Sequence, residues 1–566
     1  MAASNRDIAR VFDEIADLLE IEGDNAFRVR AYRNAARLIE GLGVSVGDMV
    51  AKQEDLTELP GIGKDLAAKI REIVETGTCA AREELRKKLP STILTLLRIP
   101  GLGPKRVQTL YRALDISTPE QLAAAVREGK VRELPGFGEK TEALLREALG
   151  AAASTAGQRF LLAAAAREAE PLRAYLAETP GVKQVVIAGS YRRAKETVGD
   201  IDLLATARGS KAIMERFCAY PEVKQVLAQG DTRATVVLRS GLQVDLRVVP
   251  QSSFGAALYY FTGSKAHNVA ARRIAQRLGL KVNEYGVFRG RRRIAGDTEE
   301  AVLRAIGLPY IPPELRENLG EIEAAQAGRL PDLVTPEDLR GDLRVTAPST
   351  RAASEALLDA ARQHGLDYVA FVLSARDLDP GRAAEWRAEI DRLNARSDGI
   401  VVLKGIEVEI RESGELAASE SLLSDFEIVI AAVHDRFDLP RERQTARLLQ
   451  AIAHPAVTML AHPTGRLIGT RPEMDLDMPA VIRAARDHGC LLELNAQPER
   501  IDLPDVYCRV AKDEGAPIAI NSGAQNAAEL ENLTWGVGQA RRGWLEARDV
   551  VNTRPLDHLR RLLRLP

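Results

Sequence analysis

The chain has 566 residues, of which 28% are charged, and a formal net charge of −2. That length exceeds what one hydrophobic core supports, so three or more domains are expected. The balanced charge excludes a general polycation, and any nucleic-acid site must be a local basic patch. Four cysteines, Cys79, Cys218, Cys490 and Cys508, are scattered with no C-x-x-C pair. This argues against a zinc ribbon or a disulfide framework and fits a reducing compartment. The stretch Met1–Asp7 has no apolar signal core and no apolar run approaches membrane-spanning length, so a soluble intracellular protein is expected.

In chain order, residues from Asn5 to about Leu42 read as helical, with Ile8, Val11, Phe12, Ile15, Leu18 and Leu19 forming an apolar stripe. Phe27, Arg28 and Tyr32 then interleave aromatic and basic side chains, as a face that grips phosphate and stacks a ring would; taken alone, a helix with snorkelling arginines and packed aromatics accounts for them better. Next come Leu59-Pro60-Gly61-Ile62-Gly63-Lys64, Ile99-Pro100-Gly101-Leu102-Gly103-Pro104-Lys105 and Leu134-Pro135-Gly136-Phe137-Gly138-Glu139-Lys140, each preceding a helix-like run. These are internal repeats of one unit, roughly 35–40 residues apart. The P-G-x-G turn resembles a helix-hairpin-helix. Its glycines permit a tight hairpin and let a phosphate approach the backbone, and the following helix adds its N-terminal dipole. Such a site reads the nucleic-acid backbone rather than its sequence. The run Gly150–Gly157 is small and polar, as a hinge would be.

Helix-like Phe160–Leu176 leads to a buried strand, Val185–Ala188, and then to Gly189-Ser190-Tyr191-Arg192-Arg193 and Gly199-Asp200-Ile201-Asp202. The Gly-Ser turn offers backbone N–H groups to phosphate. Alternate strand residues share a face, so Asp200 and Asp202 point the same way while Ile201 and Leu203 face the core. Asp245, in Gly241–Val249, is a third carboxylate if its strand pairs beside that of Asp200. Carboxylates held this close repel without a cation between them, and three suit two metal ions and in-line phosphoryl transfer. A lone D-x-D is more often a solvated strand edge; the turn, the arginines and the third aspartate together point to chemistry.

The phrases G-S-x-x-R-R, G-D-I-D and V-D-L-R resemble the palm of family X DNA polymerases. The following Tyr259-Tyr260-Phe261-Thr262-Gly263-Ser264 run resembles the family's nucleotide-pocket motif. The resemblance implies a catalytic trio of Asp200, Asp202 and Asp245 holding two Mg²⁺ or Mn²⁺ ions, with Gly189, Ser190 and Arg193 on the β- and γ-phosphates. Tyr260, Phe261 and Gly263 would lie against the incoming sugar, Asn268 at the base and Arg272 on the template strand. The run Arg272, Arg273, Arg277, Lys281, Arg289, Arg291, Arg292 and Arg293 suits template phosphates. In the N-terminal domain, the resemblance places Phe27, Arg28, Tyr32 and Lys69 at a 5′-phosphate pocket, with the hairpin glycines Gly61, Gly63, Gly101, Gly103, Gly136 and Gly138 on the DNA backbone. Lys69 matches the Schiff-base lysine of members that excise a 5′ deoxyribose phosphate. Asp65 stands where some relatives have a supporting lysine, and a nucleophilic lysine needs a depressed pKa.

After a proline-bearing connector, short apolar strands alternate with helical stretches from Gly341 onward, implying a parallel α/β barrel-like domain with functional groups at the strand C-termini. Gly341-Asp342-Leu343, Gly405-Ile406-Glu407-Val408, Ala432-Val433-His434, Ala461-His462-Pro463 and Leu494-Asn495 resemble a polymerase-and-histidinol-phosphatase (PHP) domain. Glu407, His434 and His462 stand at metal-ligand positions and suffice for one ion, Zn²⁺ or Mn²⁺. Arg344-Val345-Thr346, Val372-Leu373-Ser374 and Gly523-Ala524-Gln525 replace other ligand phrases, so a degenerate PHP domain is expected.

The expected organisation is multidomain. A helical domain with the first hairpin spans 1–80 and a fingers-like domain with the second and third 81–150. An α+β nucleotidyltransferase palm covers 151–255, a thumb 256–315, a linker 316–338 and a distorted-barrel PHP domain 339–566. The expected activity is template-directed DNA polymerisation that fills short gaps in repair. The expected partners are gapped or nicked duplex DNA and deoxynucleoside triphosphates, with no membrane, acting as a monomer in the bacterial cytoplasm near the nucleoid. The alternatives are a metal-dependent 3′-5′ exonuclease or phosphoesterase in the C-terminal half, a lyase through Lys69, and a non-catalytic DNA scaffold. The nuclease alternative predicts Mn²⁺-dependent nucleotide release that survives Asp200→Ala and fails in His434→Ala.

Overall fold

The computed structural model describes residues 5–99, 102–151, 159–378, 380–396 and 399–563. The chain divides into two compact units, Met1–Arg159 and Phe160–Pro566. Among the described residues no helix is long and apolar enough to cross a membrane.

The first unit is helical. The predicted helical stretch from Asn5 to Leu42 is two helices, Asn5–Glu22 and Ala26–Glu40. Gly23 takes φ +87° and breaks the first, and the Asn25 side chain caps the second by accepting the N–H of Phe27. One apolar core runs from Ile8 through Ile70, Leu96 and Val107 to Leu145. The boundary expected at residue 80 is therefore not a break in packing: the first helix contributes to the core of both predicted domains. The hairpin turns lead into helices Lys64–Thr76, Pro104–Leu114 and Glu139–Ala151. Gly101 and most of the predicted hinge at 150–157 lie outside the described residues.

In the second unit, a five-stranded sheet is ordered Val182–Ile187, Asp200–Ala207, Gln243–Val248, Arg233–Leu238, Val223–Gln229. The Asp200 strand runs parallel to the Gln243 strand, and the other neighbours are antiparallel. Helix Leu162–Ala177 covers one face through Leu162, Ala165, Ala169, Leu172 and Leu176. Phe160–Leu161, predicted as helix, instead pairs with Thr197–Val198.

Helices Phe254–Thr262 and Lys265–Arg277, a three-stranded sheet and helix Glu299–Ala305 follow. The linker predicted over 316–338 is packed structure. Arg316 is fully buried, helix Glu321–Gln326 buries Ile322 and Ala325, and Leu333 joins the same core. Proline density misled the sequence reading here. Pro312 and Pro313 start a 3₁₀ turn, which proline's fixed φ favours, rather than a flexible spacer.

The C-terminal region holds seven parallel strands in chain order: Gly341–Thr346, Tyr368–Ser374, Val401–Glu409, Ile428–Ala432, Met459–Leu460, Leu491–Asn495 and Ile518–Asn521. The predicted alternation of short strands and helices is present. The sheet nearly closes on itself, because the Asn552 amide donates to Gly341 O and Ile520 O, both at 2.6 Å, and Ser522 N donates to Asp342 Oδ2 at 3.1 Å. Alternate residues divide into two apolar sets. Val369, Phe371 and Val402 pack with the helices; Tyr368, Ala370, Val372 and Leu403 fill the other face.

Candidate active site

The strand pairing decides the site. Parallel register sets Asp202 directly beside Asp245 and Asp200 beside Gln243, so the three aspartates share one end of two adjacent strands. Asp200 is exposed and Asp245 buried, while Ile201, Leu203, Val244 and Leu246 fill the core beneath. Burial, then Asp200 and Asp245, push the Asp202 carboxyl up to about 7. Gly189 opens the preceding turn at φ +64°, and a Cβ there would lie 2.8 Å from Asp202 Oδ2. Only glycine combines that backbone with that approach, so a buried backbone turn abuts the carboxylates.

Asp245 is held by neighbours that sequence reasoning missed. Its Oδ1 accepts from Thr235 Oγ1 at 2.5 Å and Arg233 at 3.3 Å, and its Oδ2 accepts from Gln243 at 3.1 Å. Among the described residues, no three His, Cys, Asp or Glu side chains converge as a ready metal cage. Asp245 bonds instead to Arg233, Thr235 and Gln243. The donor set fits a hard divalent cation, since it is all carboxylate and its members stand close enough for Asp200 and Asp245 to add to the burial that raises the Asp202 pKa.

That shift gives an expected result. The folded Asp202 carboxyl binds its proton more tightly than the unfolded one, so its contribution to stability falls as pH rises from about 4 to about 7. In metal-free buffer, Asp202→Asn is expected to remove that slope and to melt higher than wild type above neutral pH. Differential scanning calorimetry checks it, and an identical pH slope in the two proteins would count against the assignment.

The arginines lock the turn to the following helices. Arg192 pairs with Glu299 and donates to Thr262 Oγ1 at 2.7 Å. Arg193 Nε donates to Glu317 Oε1 at 3.0 Å, and its Nη1 donates to the Thr262 carbonyl. Ser190 is half-buried at the start of the turn. Gly263, at φ +72°, sits against Arg193, whose Nη1 would be 3.2 Å from a Cβ there. Tyr260 and Phe261 meet edge to face, 5.2 Å apart, and the Arg247 guanidinium lies 4.3 Å from the Phe261 ring. The Asn268 amide donates to Tyr260 O at 2.8 Å, and Arg272 Nε to Asn268 O at 3.2 Å. The predicted pocket residues are thus one connected group.

In the first unit, Gly61 and Gly136 take φ +84° and +83°, as the tight turns require. A Cβ at Gly63, Gly103 or Gly138 would meet no atom within 4 Å. The space over these positions is open, as the approach of a phosphate to the backbone would need. Phe27 is 75% exposed with Arg30 stacked on it, and Arg28 pairs with Asp24. Tyr32, in contrast, is a core residue packed edge to face on Phe12. Lys69 pairs with Asp65. Burial draws the Lys69 ammonium pKa down, but Asp65 and Tyr32 outweigh it and hold it above the usual value.

At the strand C-termini of the C-terminal sheet, Glu407, His434 and His462 come together. His434 Nε2 is 2.9 Å from Glu407 Oε1, and the two histidine rings are 5.8 Å apart. Arg344 enters the same group, donating to Glu407 Oε2 at 2.8 Å and to Glu493 at 3.4 Å. Arg344, with its charge firmly held, and His434 keep Glu407 below the usual carboxylate range against the opposing effect of burial. Burial, then Arg344 and Arg500, keep the His462 imidazole neutral, far below its usual value. A metal expected on Glu407, His434 and His462 does not fit, because a guanidinium already supplies the cation that their carboxylate partner takes. Glu493, fully buried, was missed because neither periodicity nor a motif marks it.

Family models match four segments: "Helix-hairpin-helix domain" over residues 3–79, "SAM-like Helix-hairpin-helix tandem" over 93–151, "DNA polymerase beta palm" over 167–285 and "DNA polymerase beta thumb" over 257–317. The chain is 34% identical over 574 residues to "DNA polymerase/3′-5′ exonuclease PolX" of Bacillus subtilis (strain 168), covering 99% of both chains. It is 27% identical over 353 residues to "DNA polymerase lambda" of Rattus norvegicus, covering 55% of this chain and 56% of that one. It is also 31% identical over 156 residues to a "Probable phosphatase" of Thermoanaerobacter sp. (strain X514), covering 26% of this chain and 61% of that one.

Proposed function

The chain belongs to the family X DNA polymerases that carry a C-terminal PHP domain and is a template-directed DNA polymerase; from that premise we propose that it fills short gaps in duplex DNA during repair, using Asp200, Asp202 and Asp245 as its catalytic residues. The observation that carries the assignment is the register that sets Asp202 beside Asp245, next to the Gly189 turn.

Family X polymerases use divalent metal ions; here Mg²⁺ or Mn²⁺ on the three aspartates would activate the primer 3′-hydroxyl and neutralise the triphosphate. The chain's own residues do the rest. The backbone at Gly189 and Ser190 faces the β- and γ-phosphates. Arg193, with two of its five N–H donors committed to Glu317 and Thr262, has others for phosphate oxygens. Tyr260, Phe261 and Gly263 form the wall against the sugar, Asn268 meets the base, and Arg272 the template strand. The hairpins around Gly61, Gly63, Gly101, Gly103, Gly136 and Gly138 hold backbone phosphates on the DNA flanks, with Phe27 and Arg28 at a 5′ end. This favours a gapped substrate. Single-nucleotide insertion is expected to be fastest on a short gap with a 5′ phosphate. Equal rates on an open primer-template would sink the gap preference.

Lyase chemistry is not supported. A lysine nucleophile must lose its proton, and Asp65 stabilises the protonated form of Lys69. Borohydride trapping on a 5′ deoxyribose phosphate end near neutral pH is expected to yield little adduct, with Asp65→Ala raising the yield. Strong trapping in wild type would overturn this. The name of the Bacillus relative includes an exonuclease; the Arg344 cluster argues against placing one among Glu407, His434 and His462. Primer shortening in Mn²⁺, where it occurs, is expected to survive His434→Ala.

A further inference from the structure

The polymerase turn and the PHP domain meet at one arginine. Arg542 ends helix Leu533–Arg542 in the PHP domain, and its side chain is 4% exposed. It donates to the backbone carbonyl of Arg193 at 3.0 Å and to Glu317 Oε1 at 3.1 Å. That oxygen also accepts from Arg193 Nε at 3.0 Å. On its other side Arg542 pairs with Asp505 at 2.7 Å. Two further contacts back the junction: Arg466 donates to Glu196 at 2.6 Å, and a Cβ on Gly538 would lie 3.1 Å from the Ala194 side chain.

We propose that Arg542 is a positioning residue for the incoming nucleotide, so that DNA synthesis depends on a PHP domain whose own metal site is lost. The inference rests on the reading of Arg193 as a phosphate ligand.

Two physical reasons carry it. Glu317 is a half-buried carboxylate beside Arg193 and competes with the triphosphate for that guanidinium. Arg542 shares Glu317, with Lys195 at 3.7 Å, and so loosens its hold on Arg193. In addition, Ala194 takes φ +51°, a conformation disfavoured for a residue with a Cβ. The turn's own bonds, Ala194 N–H to Tyr191 O at 2.9 Å and Lys195 N–H to Ser190 O at 3.1 Å, hold it from within, and the bond from Arg542 to the Arg193 carbonyl braces it from outside. Without Arg542, that carbonyl and Asp505 lose a buried partner and Glu317 reclaims Arg193.

The test is steady-state single-nucleotide insertion into a gapped duplex by full-length wild type, Arg542→Ala, Arg542→Lys, Arg542→Gln and Arg193→Ala, with melting temperatures for each. Arg542→Ala is expected to raise KM for the nucleotide roughly tenfold, with kcat changed less than about threefold. Arg542→Lys should recover most of the loss, and Arg542→Gln, which keeps a donor but no charge, little. Should Arg542→Ala fold poorly, the Gln and Lys variants carry the comparison. An unchanged KM in a folded variant, or a fall in kcat and melting temperature together at constant KM, overturns the inference. Arg193→Ala leaving KM unaltered would instead sink the phosphate-site reading, so the two failures are distinguishable.

Discussion

Asp245→Ala is expected to abolish primer extension, lowering kcat/KM by at least about a thousandfold, or about 4 kcal/mol of transition-state stabilisation. The protein should nonetheless stay folded. Asp245 carries no apolar packing, and its loss relieves Asp202 of one of the two like charges that raise its pKa. Asp245→Asn sharpens the test. The amide keeps a bond to Thr235, whose hydroxyl sits 2.5 Å from Asp245 Oδ1, but brings no charge to a metal ion. If the role is charge, Asn is nearly as damaging as Ala. If it is scaffolding, Asn recovers most of the activity. Extension assays with Mg²⁺ and with Mn²⁺, alongside calorimetry of the metal-free proteins, separate the two. Substantial extension by either variant would remove Asp245 from the catalytic set.

Arg344→Ala is expected to cost roughly 3–5 kcal/mol of stability in the C-terminal domain, because it leaves the fully buried Glu493 and the half-buried Glu407 without their cation. The same change should create what the wild type lacks. Glu407 and His434 lie within 2.9 Å of each other, His462 presents two buried ring nitrogens without a hydrogen-bond partner, and Glu493 is fully buried beside them. With the guanidinium gone, Zn²⁺ or Mn²⁺ should raise the melting temperature of the variant and leave that of wild type little changed, apart from what the palm aspartates contribute in both. Metal content and melting curves with and without chelator read this out. A wild-type protein that binds zinc through His434 would show that Arg344 is no stand-in for metal.

Local periodicity made much of this protein readable. Asp200 and Asp202 share a face because strand side chains repeat every two residues, and the P-G-x-G turns announce themselves because few residues take a left-handed φ. Six of the seven strands of the PHP domain were legible as apolar runs, since strands of a parallel sheet are covered on both faces. A family resemblance carried by short phrases supplied the roles.

Tertiary structure decided what depends on partners distant in sequence. Whether Asp245 meets Asp202 is a matter of register between strands separated by two others in the chain, and a slip of one residue would turn it to the core. Residues 316–338 pack as core because Ile322, Ala325 and Leu333 find an apolar surface, which composition does not reveal. Lys69 pairs with Asp65, Arg344 pairs with Glu407 and Glu493, and Arg542 reaches the Arg193 turn, and each charge takes its properties from the charges that fold against it. A sequence names the charges and fixes the faces they stand on. Which charges become neighbours, and so what each can do, is settled only when the chain closes on itself.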